Sequence, residues 1–175
     1  MNAATQLMAE VLRARDWHFE INESTQMIDT GFAGRNGQWR IVTGGVNEFA
    51  VIILSGFPVG CPEPRRRACS ELLTRINYNL VVGCFEMKFD DGRIHYRSTV
   101  TYEKELPRPE VLDHLLSLNL ITMDLCLPAI MSVIYAGINP AKAIDILEKA
   151  EAAAKQAKTK PSHTRPKSHS RFELN

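Results

Sequence analysis

The side chains able to do covalent or metal chemistry are few in this sequence and poorly grouped. Its cysteines, Cys61, Cys69, Cys84 and Cys126, form no Cys-x-x-Cys pair, and none stands at a ligand spacing from a histidine. Metal sites use such pairs because two ligands on one turn fix half of the coordination sphere. A site built from Cys61, Cys69, Cys84, His18 or His114 lacks one, so no metal and no cofactor is expected. Cys84 with His95 is the remaining nucleophile and base pairing, and its fate depends on strand register. Asp124 stands in a long apolar stretch, and a buried carboxylate must be paired or protonated. It is the polar candidate, either a satisfied structural group or, with Tyr96, part of a pocket between sheet and helices. Gly31, Gly34, Gly37 and Gly44-Gly45 read as turns between strands, without the GxxxxGK[ST] run of a phosphate loop. Arg65, Arg66 and Arg67 open a helix, where cations oppose the macrodipole. An anion-docking patch is one reading of them; a solvated first turn with Arg67 facing Glu71 at i and i+4 is the simpler one.

A central helix and hairpin must position most of these groups. Ala68, Cys69, Leu72, Leu73, Ile76 and Leu80 recur at helical spacing, Pro64 suits the first turn, and Asn77, Tyr78 and Asn79 end the pattern. Strands over 81–90 and 93–102 then flank Asp91-Gly92, which predicts a two-residue type I′ turn. That turn sets Phe89 opposite Ile94, Met87 opposite Tyr96 and Phe85 opposite Ser98 on an apolar face. Lys88 with His95, Glu86 with Arg97 and Cys84 with Thr99 lie on the other. In this register His95 stands four residues along from Cys84, about 13 Å at ~3.3 Å per residue, against the ~3 Å that proton transfer needs. No catalytic residue is therefore expected.

Ala4, Leu7, Met8, Val11 and Leu12 predict a short first helix, followed by a strand in which Trp17, Phe19 and Ile21 alternate. Residues 27–33 and 38–43 bracket the hairpin signal Gly34-Arg35-Asn36-Gly37, and 49–54 form another strand after a Gly44-Gly45 turn. Pro107-Arg108-Pro109 opens a long helix that is apolar nearly all round. Its segment 115–136 is long enough to cross a bilayer. Asn119, Asp124 and Pro128 in its middle argue instead for a helix buried by the sheet and a partner, so no membrane span is expected. Pro128 has no amide for the carbonyl of Asp124, which predicts a kink or break at 124–128. Gly137 ends the helix, and Asn139-Pro140 caps a last one with a stripe of Ile144, Leu147, Ala150 and Ala154.

The whole is an α+β domain over 1–157, an antiparallel sheet of about five to six strands packed against helices. The chain carries +1 overall, but residues 158–175 hold five Lys or Arg against one Glu, leaving a mildly acidic body of −3. Scattered tail charges are no footprint for nucleic acid, and the tail's Lys, Pro, Ser, Thr and His composition predicts disorder. Cysteines that read as reduced thiols and a start without a basic, then apolar, leader fit a cytoplasmic protein.

This order of elements resembles the YbjN family, bacterial proteins described as sensory transduction regulators. The resemblance runs from about residue 4 to 150. It rests on Asn36-Gly37-x-Trp39, on Leu73, Ile76 and Asn77, on Phe89 through Tyr96, and on Asp124, Pro128 and Gly137. It implies a type III secretion chaperone-like fold and a regulatory or chaperone-like role without established chemistry. Together with a long helix lacking a polar face, it favours a non-enzymatic adaptor that binds a protein client or itself, as a homodimer, through an apolar surface. Leu116, Leu120, Met123, Leu127 and Met131 are the contact candidates. The alternative is a small-molecule sensor or enzyme using a pocket at Asp124.

Overall fold

Alternate residues of three neighbouring strands are buried: Trp39, Ile41 and Thr43; Val51, Ile53 and Ser55; Ile94, Tyr96 and Ser98. Their neighbours in sequence, such as Arg40, Arg97 and Thr99, face outward, the period-two pattern of a sheet covered on one side. The computed structural model describes residues 2–159. The elements run α1 (Ala3–Ala14), β1 (Glu20–Ile21), β2 (Ile28–Ala33), β3 (Gln38–Val46), β4 (Ala50–Gly56), a 3-10 turn (Glu63–Arg65), α2 (Arg66–Asn79), β5 (Cys84–Met87), β6 (Ile94–Thr101), α3 (Pro109–Ala136) and α4 (Pro140–Thr159). All strands pair antiparallel in one six-stranded sheet of order β1-β2-β3-β4-β6-β5. This is the expected α+β fold. α1 lies over β3, α3 over β4 and β6, and α2 over β5, while α4 packs on α2 and α3.

Several local expectations are corrected. Only Glu20–Ile21 of the first predicted strand pairs. Gly44 and Gly45 lie inside β3, not in a turn, and the chain reverses at Asn47, which takes a φ of 60°. The glycines let α1 approach: a Cβ on Gly45 would meet Asn2 Oδ1 at 2.5 Å and Ala4 Cβ at 2.7 Å. Thr5 Oγ1 accepts from the Gly45 amide at 2.9 Å, and Asn2 Nδ2 donates to the Gly45 carbonyl at 3.0 Å. Asn2 also caps α1 by accepting from the Thr5 amide.

The hairpin register is shifted by two residues: Met87 faces Ile94, Phe85 faces Tyr96, Glu86 faces His95 and Cys84 faces Arg97. A type I′ turn needs positive φ at both central residues, and of Asp91 and Gly92 only the glycine has it, at 73°. Asp91 instead accepts from the Arg93 amide at 3.0 Å, and a wider loop closes through Lys88 N–H to Arg93 O and Gly92 N–H to Lys88 O, both 2.8 Å. An even shift keeps each side chain on its predicted face. Phe89 alone is displaced, into the loop, where it is 54% exposed.

α2 continues through Asn79 and makes its ion pair between Glu71 and Arg75, not between Arg67 and Glu71. Asn77 pairs with the edge strand, its amide donating to Phe85 O at 2.9 Å and its oxygen accepting from Phe85 N–H at 2.8 Å. A side-chain amide thereby occupies backbone groups that an edge strand would offer to another chain. α3 runs unbroken through Pro128, and Asn139 caps α4 by accepting from the Ala141 amide. By length and hydropathy α3 qualifies as a candidate membrane span, yet half of its most apolar window is buried within the protein. Except for its first two residues, the basic segment 158–175 lies outside the described residues.

Candidate functional site

Three polar clusters and one apolar face account for the chemistry-bearing residues. The most buried cluster centres on Asn119, which is fully buried on the sheet-facing side of α3. Ser55 Oγ donates to Asn119 Oδ1 at 2.6 Å, and Asn119 Nδ2 donates to Ser98 Oγ at 2.9 Å and, more weakly, to the carbonyls of Ile53 and Tyr96. Trp39 Nε1 donates to Ser55 Oγ at 3.0 Å and closes the chain of bonds. Asn119 thus pins α3 to the inner face of β4 and β6. The sequence signal for it was a lone amide in an apolar helix, level with two serines at inward strand positions.

Asp124, expected deep in the core, is only half-buried. It meets the β2–β3 turn: the Asn36 amide donates to Asp124 Oδ1 at 2.8 Å, and Asn36 Nδ2 donates to the Asp124 main-chain carbonyl at 2.9 Å. That carbonyl is the one Pro128 leaves without a helical donor. Asn36 supplies the missing bond, which is how α3 passes the proline without a break. Gly34 and Gly37 make the approach possible, since Cβ atoms there would stand 2.3 Å from Asp124 Oδ1 and 3.1 Å from Leu127 Cδ1. Asn36, Gly37, Asp124 and Pro128 are one junction.

Tyr96 is far from that junction in the sheet order. Its hydroxyl donates to the Val82 carbonyl beside β5, its ring packs on Phe85 at 4.7 Å, and burial raises its pKa. Asp124 meets the β2–β3 turn and the Tyr96 hydroxyl the Val82 carbonyl beside β5, so the two are engaged at different places along the sheet and do not converge on a pocket.

The third cluster lies on the uncovered face of β5 and β6. Glu86 Oε2 bonds His95 Nε2 at 2.8 Å and pairs with Arg97, and Cys84 Sγ lies 3.7 Å from Glu86 Oε1. The register shift brings Cys84 and His95 to a shared carboxylate, closer than the expected four residues. Burial and Glu86 both push the Cys84 thiol up, the reverse of what a nucleophile needs. Burial also works to raise Glu86, but the hydrogen bonds from Arg97 and His95 outweigh it and hold the carboxyl low. Cys69 is fully buried beside Cys61 and pushed up to about 12, chiefly by burial.

Two of the three N-terminal arginines are engaged internally. Arg66 donates to the carbonyls of Cys61 and Asp90, at 3.3 and 3.1 Å. The Arg65 guanidinium lies against Gly137, at the C-terminal end of α3, where a cation complements the helix dipole. Arg67 lines a depression of about 430 Å³ with Glu63, Pro64 and Phe89, at the protein's rim and not between sheet and helices. Among the described residues no group of three or more His, Cys, Asp or Glu is placed to hold a metal, and every buried side-chain nitrogen or oxygen has a hydrogen-bond partner.

The contact candidates on α3 are placed differently from expectation. Leu116, Leu120, Met123 and Leu127 are buried at 5% exposure or less, in the protein's own core, and Met131 is half-buried against it. Their spacing marks the inner stripe of α3, because the sheet claims that stripe first. The outer face is carried instead by Leu118, Ile121 and Leu125, with Val111 and Tyr135 toward the ends. Ile121 is 46% and Tyr135 68% exposed. Between His114 and Lys142 the sole charged residue is Asp124, which Asn36 engages.

The sequence matches the model of the YbjN family, described as "Putative bacterial sensory transduction regulator", over residues 5–132. Comparison with curated proteins finds no match. The matched span holds most of α1, the entire sheet, α2 and most of α3, and with them the Asn36–Asp124 junction and the Asn119 cluster. On that coverage, well over half of its length, the chain belongs to the YbjN family.

Proposed function

We propose that this protein is a non-enzymatic regulator of the chaperone-like adaptor type, acting in the cytoplasm by binding protein through the outer face of α3. One observation carries the reading: the outward side of α3 presents exposed Ile121 between half-buried Leu118 and Leu125, with no free charge beside them. Helices that remain exposed carry polar residues on their outer face, and an apolar one marks an interaction surface. The polar groups support the same reading from the other direction. Asn119, Asp124 and Glu86, the polar centres of the three clusters among the described residues, are each engaged by internal partners and not aimed together at a cavity. Family membership supports a regulatory role.

The test is site-specific photocrosslinking in cells, with the reactive residue at Ile121 and, as control, at Thr99 on the open sheet face. A discrete adduct at position 121, absent at 99, is expected. Equal, diffuse labelling at both positions, or none at 121, refutes the assignment.

A further inference from the structure

We infer that the outer face of α3 is the contact between two copies of this chain, paired antiparallel about a two-fold axis that passes between Ile121 and Leu125. The inference rests on the protein-binding reading above and names the protein bound. Its basis is the symmetry of the stripe. The outward positions His114, Leu118, Ile121, Leu125, Pro128 and Ser132 alternate at spacings of four and three, the repeat that keeps one seam facing a partner helix. These positions are also mirror-placed about residue 123. Two antiparallel copies set Ile121 against Leu125 and Leu118 against Pro128 in the centre, and His114 against Ser132 outside them, each contact occurring twice. Apolar then meets apolar and a hydrogen-bonding pair meets across the flank, as a self-complementary two-fold interface requires. Parallel pairing would also bring the leucines and Ile121 onto their copies, but it stacks His114 on His114, loses the His114–Ser132 match and aligns the helix dipoles unfavourably.

Charge points the same way. No charge on the seam repels its copy, and antiparallel helix dipoles attract. The exposed Glu110 at the start of α3 is brought toward the other copy's Arg65, which sits at the α3 C-terminal end. Size sets the strength. From Val111 to Tyr135 the seam is ~36 Å long and ~10 Å wide, roughly 360 Å² per copy. A standard stable interface buries about 800 Å² per partner, so a reversible, concentration-dependent dimer is expected.

Light scattering across concentration on the full chain should show the mass rising from 19.7 kDa toward twice that value. Ile121→Glu, at an exposed position, should abolish the rise while leaving the circular dichroism spectrum and cooperative melting unchanged. Orientation is read in a Cys84→Ser background by mild oxidation of His114→Cys, Ser132→Cys and the double variant. A covalent dimer from the double variant alone supports antiparallel pairing. Ready crosslinking by either single variant overturns it. A monomer at every concentration, with no crosslink, overturns self-association altogether. In that event a photo-adduct at Ile121 whose mass is not twice the chain's still upholds the regulator reading, so the two can fail separately.

Discussion

At the scale of single residues, burial and hydrogen bonding divide the polar side chains into those that hold the fold and those that tune it. Asn119 is of the first kind. Asn119→Leu would leave Ser55 Oγ, Ser98 Oγ and two carbonyls short of a partner in a dry interior, at about 1–3 kcal/mol for each group orphaned. Urea unfolding should show that loss. The double variant with Ser98→Ala should recover part of it, because removing both sides of a buried bond is far cheaper than removing one, whereas Ser55→Ala would orphan the Trp39 indole N–H that Ser55 Oγ accepts. Glu86 is of the second kind, half-exposed and held low by Arg97 and His95. A carboxylate whose folded pKa is depressed stabilises the protein above its unfolded pKa, about 4.3, and that contribution fades as pH falls through the folded value. Stability curves of wild type and Glu86→Gln should therefore converge below about pH 4.3 and differ above it. A constant offset at all pH values would mean that the carboxylate's charge contributes nothing.

At the scale of elements, α3 is held by junctions that sequence neighbours do not reveal. The Asn36 turn completes the hydrogen bonding that Pro128 interrupts, so the two changes are coupled. Asn36→Ala should destabilise the wild type and cost less in a Pro128→Ala background, where the Asp124 carbonyl regains a helical donor. Contacting residues commonly couple by about 0.5–3 kcal/mol, within reach of a double-mutant cycle by denaturant titration. Simple additivity would show that the Asn36 side-chain bond does not stand in for the donor Pro128 lacks, since the backbone amide that meets the Asp124 carboxylate is kept in Asn36→Ala. The hairpin carries a related lesson. Alternation fixed which side chains of β5 and β6 share a face, while the loop conformation at Asp91 fixed which residues are opposite. Those are separate quantities, since a shift of two changes partners without changing faces.

At the scale of the whole molecule, one helix has two apolar faces with different fates. The inner face, Leu116, Leu120, Met123 and Leu127, is buried in the protein's core, and the outer face, Leu118, Ile121 and Leu125, points away from it. Adjacent substitutions should then behave as opposites. Leu120→Glu places a charge in a site only 5% exposed and should unfold the domain, seen as loss of the cooperative thermal transition. Ile121→Glu, one position along, should fold and lose only its association. If both unfold, or neither does, the partition of α3 into core and contact faces is wrong.

The sequence by itself determined the element types, the α+β class, the faces of the strands and the family, because periodicity, caps and turn residues act over a few positions and leave a local signature. Ile144 and Leu147 in α4, the Asn139 cap and the Gly137 stop were all legible for that reason. Only the tertiary structure decided which stripe of α3 the sheet would bury, that Gly44 and Gly45 serve the approach of α1 and not a turn, and that Asn119, not Asp124, is the deeply buried polar group. These outcomes depend on packing partners dozens of residues away. Apolar on every side, α3 carries no local pattern to distinguish the face it buries from the face it offers.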